Sequence, residues 1–387
     1  MLRWIFLGVA MGLLAAASLV WVKAPTVVTW KLAVLVGEFG HLLLVVPVVV
    51  GVVAAVQARS GESRVPWVTL VLVGLTVISL LRPVVSAWRV ASTLPARMEA
   101  AFGVRLPDRE PLRLAALWAP PPQTRVTVET KDVLTPGTSV PLKLDFYRAV
   151  RPAGTPAPCV VVIHGGGWDS GDREQLSALN HRLAGRGFAV AAISYRLAPA
   201  HRWPAQYDDV VANLQYLRRE ATALGIDPAR LVLLGRSAGG QLATAVGYRS
   251  DQPGIRGVVA YYAPHDLHFA WAWTKERDVL DSFSLMRNYL GGSPDEKKQA
   301  FTDASAYLAV TPRTPPTLLV HGQNDSLVWH RQSERLAERL AEEKVPQVFV
   351  SLPWAVHAFD FNPNGPAGQL ATYALDSFLA AVCTAER

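Results

Sequence analysis

Two patterns of hydrophobic and polar positions divide the chain near residue 88. Before that point, three long runs, near residues 4–22, 32–57 and 65–82, contain almost no charged side chain. A helix that crosses a membrane needs about 20 mostly apolar residues. The runs therefore predict a transmembrane region of three helices over residues 1–88.

Beyond residue 120, short apolar runs alternate with longer stretches of helical periodicity. This alternation is typical of a mostly parallel sheet with flanking helices. It predicts an α/β catalytic domain over residues 121–387, with a lid insert near 265–309. Strands are expected near 125–130, 141–147, 158–164, 188–195, 230–235, 256–262, 316–321 and 346–352, and helices over 172–186, 205–224, 238–249, 330–344 and 366–382.

The apolar region leaves alternatives open. The first run could be a secretory signal peptide, because Arg3 precedes it and small residues stand at 15–17. The third run is the shortest and could be an interfacial or re-entrant segment. Glu38 and His41 lie one turn apart in the second run, where ionisable residues are functional candidates by default. We favour a packing or hydrogen-bonding role for this pair between helices.

The net charge of +7 comes partly from arginines in residues 89–120, which we interpret as a basic juxtamembrane linker. Basic residues beside a bilayer attract anionic lipid, so membrane lipids are the expected partner and nucleic acid is not. Positive-inside counting favours a multi-pass membrane protein whose catalytic domain faces the cytoplasm. Three basic residues lie on one predicted side of the membrane, and five lie on the side of the catalytic domain. They are Arg3, Arg59 and Arg64 on the first side and Lys23, Lys31, Arg82, Arg89 and Arg97 on the second.

Candidate chemistry begins with a G-x-S-x-G pentapeptide at residues 235–239. It lies between an apolar strand pattern and a helical stretch, where this motif forms a nucleophile elbow. The turn is too tight for side chains on its flanks, which explains the glycines at positions 235 and 239. Ser237 is therefore the candidate nucleophile.

A second motif, His-Gly-Gly-Gly-Trp at residues 164–168, follows an expected buried strand. Acyl transfer passes through an intermediate with a negative oxygen, which backbone N–H groups stabilise. We expect the N–H groups of Gly165 and Gly166, with that of Ala238, to form this oxyanion hole. A plain glycine turn after a strand is the alternative.

Two further polar residues follow strands in the order that α/β-hydrolases use, which is Ser, Asp, His. Asp325 follows the strand expected near 316–321, and His357 follows the one near 346–352. In this arrangement Ser237 attacks the acyl carbon, His357 transfers protons, and Asp325 orients the imidazole. The sequence therefore predicts a complete catalytic triad.

Competing roles remain for several of these residue types. His321 precedes the loop of Asp325 and fits a structural role at the end of its strand. Asp325 could instead cap the helix that begins near Val328. His265 and His268 flank Asp266 in a metal-like cluster, to which we assign a loop or surface role because no matching ligand set lies nearby. We expect no metal and no organic cofactor.

With these residues in place, the chain resembles the hormone-sensitive-lipase-like and feruloyl-esterase-like carboxylesterases of the α/β-hydrolase superfamily. The resemblance covers roughly residues 121–387 and implies an eight-stranded, mostly parallel sheet with the nucleophile after the fifth strand. Beyond the triad it depends on the blocks 164–172, 194–199, 203–210, 225–228, 289–293 and 315–322.

The chain departs from this family next to two catalytic positions. Arg236 stands where an acidic residue often precedes the nucleophile, and Ala358-Phe359 follows the histidine in place of Gly-Phe. We name Trp168, Arg236 and Phe359 as candidate substrate-binding residues. Arg236 could favour an anionic group, or it could form a salt bridge to a neighbouring acid.

The combined interpretation is a membrane-anchored, lipase-like serine carboxylesterase that acts on a small-molecule or lipid-like ester. A deacetylase or acyltransferase on a membrane-associated substrate is the enzymatic alternative, and a non-catalytic membrane scaffold is the alternative of another class. The apolar lid residues could line an acyl pocket or pack the lid onto the core. They are Phe269, Trp271, Trp273, Phe283, Leu285 and Met286.

Overall fold

The computed structural model describes residues 1–61, 63–120, 124–152, 154–249 and 252–384. Residue 121, where we placed the start of the catalytic domain, lies outside these ranges. The described part contains an eight-stranded sheet whose strand order is β1-β2-β4-β3-β5-β6-β7-β8. The strands are β1 (Val128–Val133), β2 (Leu142–Tyr147), β3 (Ala157–Ile163), β4 (Ala189–Ile193), β5 (Ile226–Arg236), β6 (Ile255–Tyr261), β7 (Thr317–Gly322) and β8 (Gln347–Leu352).

The sheet is mostly parallel, as the alternating pattern predicts. β2 pairs antiparallel with both β1 and β4, whereas every pairing from β4 through β3 to β8 is parallel. The central strands are apolar on both faces because parallel sheets are covered on both sides. In β3, for example, Val161 belongs to one core cluster and its neighbours Val160 and Val162 to the other. The predicted eight-stranded, mostly parallel sheet is confirmed.

Four helices precede the sheet: α1 (Leu2–Ala17), α2 (Val27–Phe39), α3 (Val45–Ala58) and α4 (Val65–Phe102). Within the described residues, two helices are long and apolar enough to cross a membrane. They are α1 together with the 3-10 turn that follows it, Leu2–Val20, and α4. A third crossing results if α2 and the segment Leu42–Ala58 count as one bent span.

The second predicted span, 32–57, is not one straight helix, because the chain bends by 93° between Phe39 and Leu42. The polar pair lies at this bend and binds backbone groups outside the apolar helices. Glu38 accepts a hydrogen bond from the N–H of Ala367 (3.1 Å), and His41 Nε2 lies 2.8 Å from the carbonyl oxygen of Leu117. The hydrogen-bonding role that we favoured for this pair is therefore observed, but its partners lie on the enzyme side of the chain and not in another apolar helix.

The third predicted span continues well past residue 82, because α4 runs on to Phe102. Residues 89–102, which we expected in a linker, are therefore helical. Leu94, Met98 and Phe102 recur at intervals of four, so they share one face of the helix. All three are buried in the core cluster on one side of the sheet. The helix that begins in the apolar region thus also covers part of the sheet.

In the part of the chain that the structure describes, nine further helices cover the two faces of the sheet and form the segment between β6 and β7. The expected helix over 172–186 is shorter than predicted, because Asp172 binds the N–H of Glu174 in a local turn and the helix starts only at Ala178. The nine helices are α5 (Ala178–Gly185), α6 (Ala205–Arg219), α7 (Ala221–Leu224), α8 (Ala238–Gly247), α9 (Leu267–Trp273), α10 (Ser282–Leu290), α11 (Lys298–Ala304), α12 (Arg331–Glu342) and α13 (Pro366–Val382).

Candidate active site

Ser237 lies at a sharp turn between β5 and α8. Its backbone has φ 52° and ψ −122°, a conformation that L-residues rarely adopt. A Cβ on Gly235 would lie 2.0 Å from the carbonyl oxygen of Gly239, and a Cβ on Gly239 would lie 2.3 Å from that of Ile163. Both flanking positions therefore exclude side chains, which is the physical reason for the glycines of the pentapeptide.

Asp325 and His357 meet at the same edge of the sheet. Asp325 follows β7, His357 follows β8, and His357 Nδ1 lies 2.7 Å from Asp325 Oδ2. The other carboxylate oxygen, Oδ1, accepts the N–H groups of Leu327 (2.8 Å) and Val328 (2.9 Å). Asp325 thus binds the turn after β7 as well as the histidine. It does not cap a helix, the alternative that we considered, because the next helix begins only at Arg331 with His330 as its N-cap.

A second histidine contacts the same carboxylate. His321 Nε2 lies 3.2 Å from Asp325 Oδ2, and its Nδ1 lies 2.8 Å from the hydroxyl of Ser333. Burial alone would raise the pKa of Asp325. The charge of His357 and hydrogen bonds from His321 and His357 outweigh burial, so the pKa lies well below its usual range. The carboxylate therefore remains ionised at neutral pH.

A cavity of about 730 Å³ opens at this edge, and Ser237, Ala238, Asp325 and Trp168 line it. The indole N–H of Trp168 donates to Gln241 Oε1 (2.9 Å), and its ring stacks on Tyr289. Trp168 is thus held rigidly in the cavity wall, where we expected a substrate-binding residue. His357 is almost fully buried, and its ring packs against that of Tyr262, with centroids 4.4 Å apart.

The expected oxyanion hole needs one change. The N–H of Gly165 donates to Gln175 Oε1 (2.8 Å), so it is not available for a substrate oxygen. Gly167 lies in the cavity wall beside Ser237 and Ala238, with φ +60°. Gly166, at φ +117°, has no room for a Cβ because the carbonyl oxygen of Ser170 would be 2.2 Å away.

Arg236 and Phe359 do not lie among the described residues that line the cavity. Arg236 is 2% exposed, and its Nε donates to Asp360 Oδ2 (2.5 Å). Tyr262 donates to the other oxygen of Asp360 (2.5 Å). The salt bridge that we left open for Arg236 is the observed arrangement, since a buried guanidinium needs a charged partner. Phe359 is fully buried against Tyr262.

Comparison with known proteins is consistent with this geometry. The model of the BD-FAE family matches residues 144–340. Esterase LipC of Mycobacterium tuberculosis is 31% identical over 316 residues, which cover 75% of this chain and 75% of LipC. The chain belongs to the BD-FAE family. It is an ester-hydrolysing enzyme of the carboxylesterase class, which confirms the resemblance found in the sequence.

Other similarities extend this result. The probable carboxylic ester hydrolase LipM of Mycobacterium tuberculosis is 31% identical over 259 residues, 62% of this chain and 58% of LipM. Among solved structures, a bacterial heroin esterase superposes with a TM-score of 0.59 at 24% identity, over 76% of this chain and 92% of that protein. At that identity the structural match supports the fold alone.

In this BD-FAE family member, the apolar residues between β6 and β7 divide into two groups. Phe269, Trp273, Leu285 and Met286 line the cavity. Trp271 instead packs edge-on against Phe283, with ring centroids 4.7 Å apart, and both pack onto the main core cluster. Some of these apolar residues therefore line the cavity, and others pack this segment onto the core.

The cluster of His265, Asp266 and His268 has structural partners. Asp266 Oδ1 accepts the N–H of Phe269 at the start of α9, and Arg335 donates to its Oδ2 (3.0 Å). His265 is fully buried between Thr244 and Ser333. Across the described ranges, no group of three or more His, Cys, Asp or Glu residues is arranged to hold a metal ion.

Sequence reasoning missed three parts of the site. Gln175 carried no motif that would connect it to Gly165. Gly167 belongs to the glycine motif, but which glycine N–H groups are free depends on backbone geometry. Lys23, Ala24 and Pro25 also line the cavity, although they lie more than two hundred positions before Ser237. The sequence around them indicated only the end of an apolar run.

Proposed function

We propose that this protein is a membrane-anchored serine carboxylesterase that cleaves apolar acyl esters through an acyl intermediate on Ser237. The observation that carries the proposal is the 2.7 Å pair of His357 and Asp325 at the edge of the sheet, beside a cavity that Ser237 and Asp325 both line. Nucleophilic acyl transfer requires a carboxylate that orients an imidazole, together with a serine at the same site.

The chemistry follows in two halves. Ser237 Oγ attacks the acyl carbon while His357 accepts the hydroxyl proton, and that proton then passes to the leaving alcohol. A water molecule attacks the acyl-serine ester in the same way, and the carboxylic acid leaves. Asp325 stabilises the imidazolium in both halves. For the negative oxygen of each tetrahedral intermediate, we propose the N–H groups of Gly166, Gly167 and Ala238, with Gly167 in place of Gly165.

The lining of the cavity supports an apolar acyl group. Side chains from α9, α10 and the turn after β7 contribute aromatic and aliphatic surface, and Trp168 adds a rigid ring. Burial of each methylene contributes about 0.8 kcal/mol, so a cavity of this kind favours longer acyl chains over acetyl. The contributing residues are Phe269, Trp273, Leu285, Met286, Leu327, Val328 and Trp329.

The N-terminal helices support membrane attachment. α1 and α4 have the length and composition of spanning helices, and α3 exposes a row of valines. Beside them lies a groove of about 720 Å³ whose lining includes Arg82, Arg89 and Arg97. Arginines next to a bilayer attract anionic headgroups, so we propose anionic phospholipid as the lipid partner. We place the catalytic domain on the cytoplasmic side.

Hydrolysis of p-nitrophenyl esters from acetyl to palmitoyl, in detergent, tests the proposal. The expected result is activity that peaks above acetyl and falls at least about a thousandfold in Ser237→Ala. A fluorescent phosphonate should label the wild type and not the variant. Activity that persists in Ser237→Ala, or a wild type that neither hydrolyses an ester nor reacts with the phosphonate, would refute the assignment of the nucleophile.

A further inference from the structure

The turn between α1 and α2 reaches into the cavity that contains Ser237. Lys23, Ala24 and Pro25 lie in the wall of this cavity, although they belong to the N-terminal region and not to the catalytic domain. Ala24 is buried with Ala33 of α2 and Val356, the residue before His357, in one apolar cluster. The apolar N-terminal region therefore contacts the active site directly, in addition to any contact with lipid.

Two hydrogen bonds connect this region to the two catalytic loops. The indole N–H of Trp30 on α2 donates to the backbone carbonyl of His357 at 3.0 Å. The side-chain amide of Asn324, next to Asp325, donates to the carbonyl of Val20 at 2.8 Å. The loop after β7 and the loop after β8 are thus each joined to the N-terminal region beside a catalytic residue.

The position of His357 depends on its backbone as well as on Asp325. Asp325 restrains the far side of the imidazole ring, but it does not restrain the loop that carries the histidine. Ala358, the next residue, has φ +63°, a conformation that a non-glycine residue adopts only under constraint from its surroundings. The bond from Trp30 supplies such a constraint at the adjoining peptide group.

We propose that the segment from Lys23 to Trp30 belongs to the active site and contributes to the reaction. Trp30 positions His357, and the turn at Lys23–Pro25 limits the length of acyl chain that the cavity accepts. This inference rests on the proposed function, because it assigns roles in the same reaction. It adds a requirement that catalysis depends on the N-terminal helices even when the substrate is soluble.

Trp30→Phe removes the indole N–H and keeps an aromatic ring. We expect kcat per active site, counted by phosphonate labelling, to fall roughly tenfold, since small displacements of a catalytic group reduce rates strongly. KM should stay within about twofold, and the rate of labelling should fall with kcat. Trp4→Phe, at an exposed tryptophan in α1, is the matched control and should change neither rate.

Pro25→Trp separately tests whether the turn at Lys23–Pro25 limits the length of the acyl chain. It adds volume at the cavity lining and leaves the hydrogen bond from Trp30 in place. We expect the ratio of activity on decanoyl to activity on acetyl ester to fall roughly tenfold, because a filled cavity rejects the longer chain. Val28→Trp, an exposed position on α2 outside the cavity lining, is the control and should leave this ratio unchanged.

The outcomes separate the two levels of proposal. A lower melting temperature in Trp30→Phe with wild-type kcat and labelling rate would mean that Trp30 is structural, which overturns its positioning role. An unchanged chain-length ratio in Pro25→Trp overturns the role of the wall. A wild type that the phosphonate does not label refutes the proposed function itself, and this inference with it, before any of these variants is compared.

Discussion

Valine residues in this protein occupy two opposite surroundings. Val160 and Val161 of β3 are fully buried between strands and helices, whereas Val48, Val49 and Val52 of α3 are each more than half exposed. Burying apolar surface contributes about 25 cal/mol per Å², and a large exposed apolar surface marks contact with another apolar medium. The catalytic domain supplies its own apolar interior, while the N-terminal helices require an external one, for which we propose the bilayer.

Two elements belong to both surroundings. The first part of α4 exposes apolar side chains such as Val71 and Ile78, and its last turns bury Met98 and Phe102 against the sheet. α2 exposes Val28 and at the same time contacts His357 through Trp30. The boundary between the two surroundings therefore runs along individual helices, not through a linker.

The largest expected effect is confined to the catalytic side. Asp325→Asn should reduce kcat about ten-thousandfold, because the amide favours the wrong tautomer of His357 and cannot stabilise its charged form. Steady-state hydrolysis of a p-nitrophenyl ester measures this loss. Asp132→Asn, a change of the same chemistry on the exposed edge strand, is the control and should keep wild-type kcat. Equal rates in the two variants would contradict the assignment of Asp325.

A glycine in each region sharpens the comparison in terms of stability. Gly235→Ala forces a Cβ to within 2.0 Å of a carbonyl oxygen, whereas a Cβ at Gly12 in α1 meets nothing within 4 Å. We expect the first change to cost about 3 kcal/mol or more and the second to stabilise α1 by about 0.5–1 kcal/mol. Thermal unfolding in detergent, followed by tryptophan fluorescence, measures both. A tolerated Gly235→Ala would contradict the tight turn at Ser237.

Charge placed on exposed valines tests what covers them. Val49→Lys in α3 should oppose insertion by about 3 kcal/mol, the cost of a lysine near the centre of a membrane helix. A larger fraction of the protein should then be released by alkaline extraction of membranes. Val140→Lys, at an even more exposed valine before β2, should leave extraction unchanged. Identical behaviour of the two variants would show that α3 faces water.

The smallest effect is a dependence of stability on pH that arises inside the catalytic domain. Burial lowers the pKa of His265 to about 3, against about 6.5 in an unfolded chain. Between these two pH values the unfolded state therefore binds one more proton than the folded state. The contribution of His265 to the free energy of unfolding is fully present above pH 6.5 and declines as the pH falls toward 3. We expect a loss on the order of 2 kcal/mol by pH 5.

Denaturant unfolding at pH 7 and pH 5 measures this dependence. The difference in the free energy of unfolding between pH 7 and pH 5 should shrink in His265→Gln. It should persist in His201→Gln, which alters a surface histidine. A pH dependence that is the same in both variants would assign the effect to other groups.

Much of the catalytic domain could be predicted because its signals are local. Gly235, whose Cβ would meet the carbonyl oxygen of Gly239, and the strands that precede Asp325 and His357 each reflect constraints within a few residues. The N-terminal region was predicted less well because apolar composition does not distinguish lipid from protein as the medium. Glu38 and Met98 meet protein partners that hydrophobic pattern alone does not reveal. Our proposal of Gly167 instead of Gly165 for the oxyanion hole depends on which N–H group Gln175 occupies, and only the folded backbone determines this.

The length of α4 has a geometric consequence. Its 38 residues rise by about 1.5 Å each, roughly 57 Å in all, of which the hydrocarbon core of a bilayer takes about 30 Å. In the membrane attachment that we propose, the remainder lies against the sheet, so one continuous element sets the height of Ser237 above the bilayer. An enzyme attached in this way selects esters by their depth, and two substrates with identical acyl and alcohol groups would react at different rates if their ester bonds lay at different distances from the membrane.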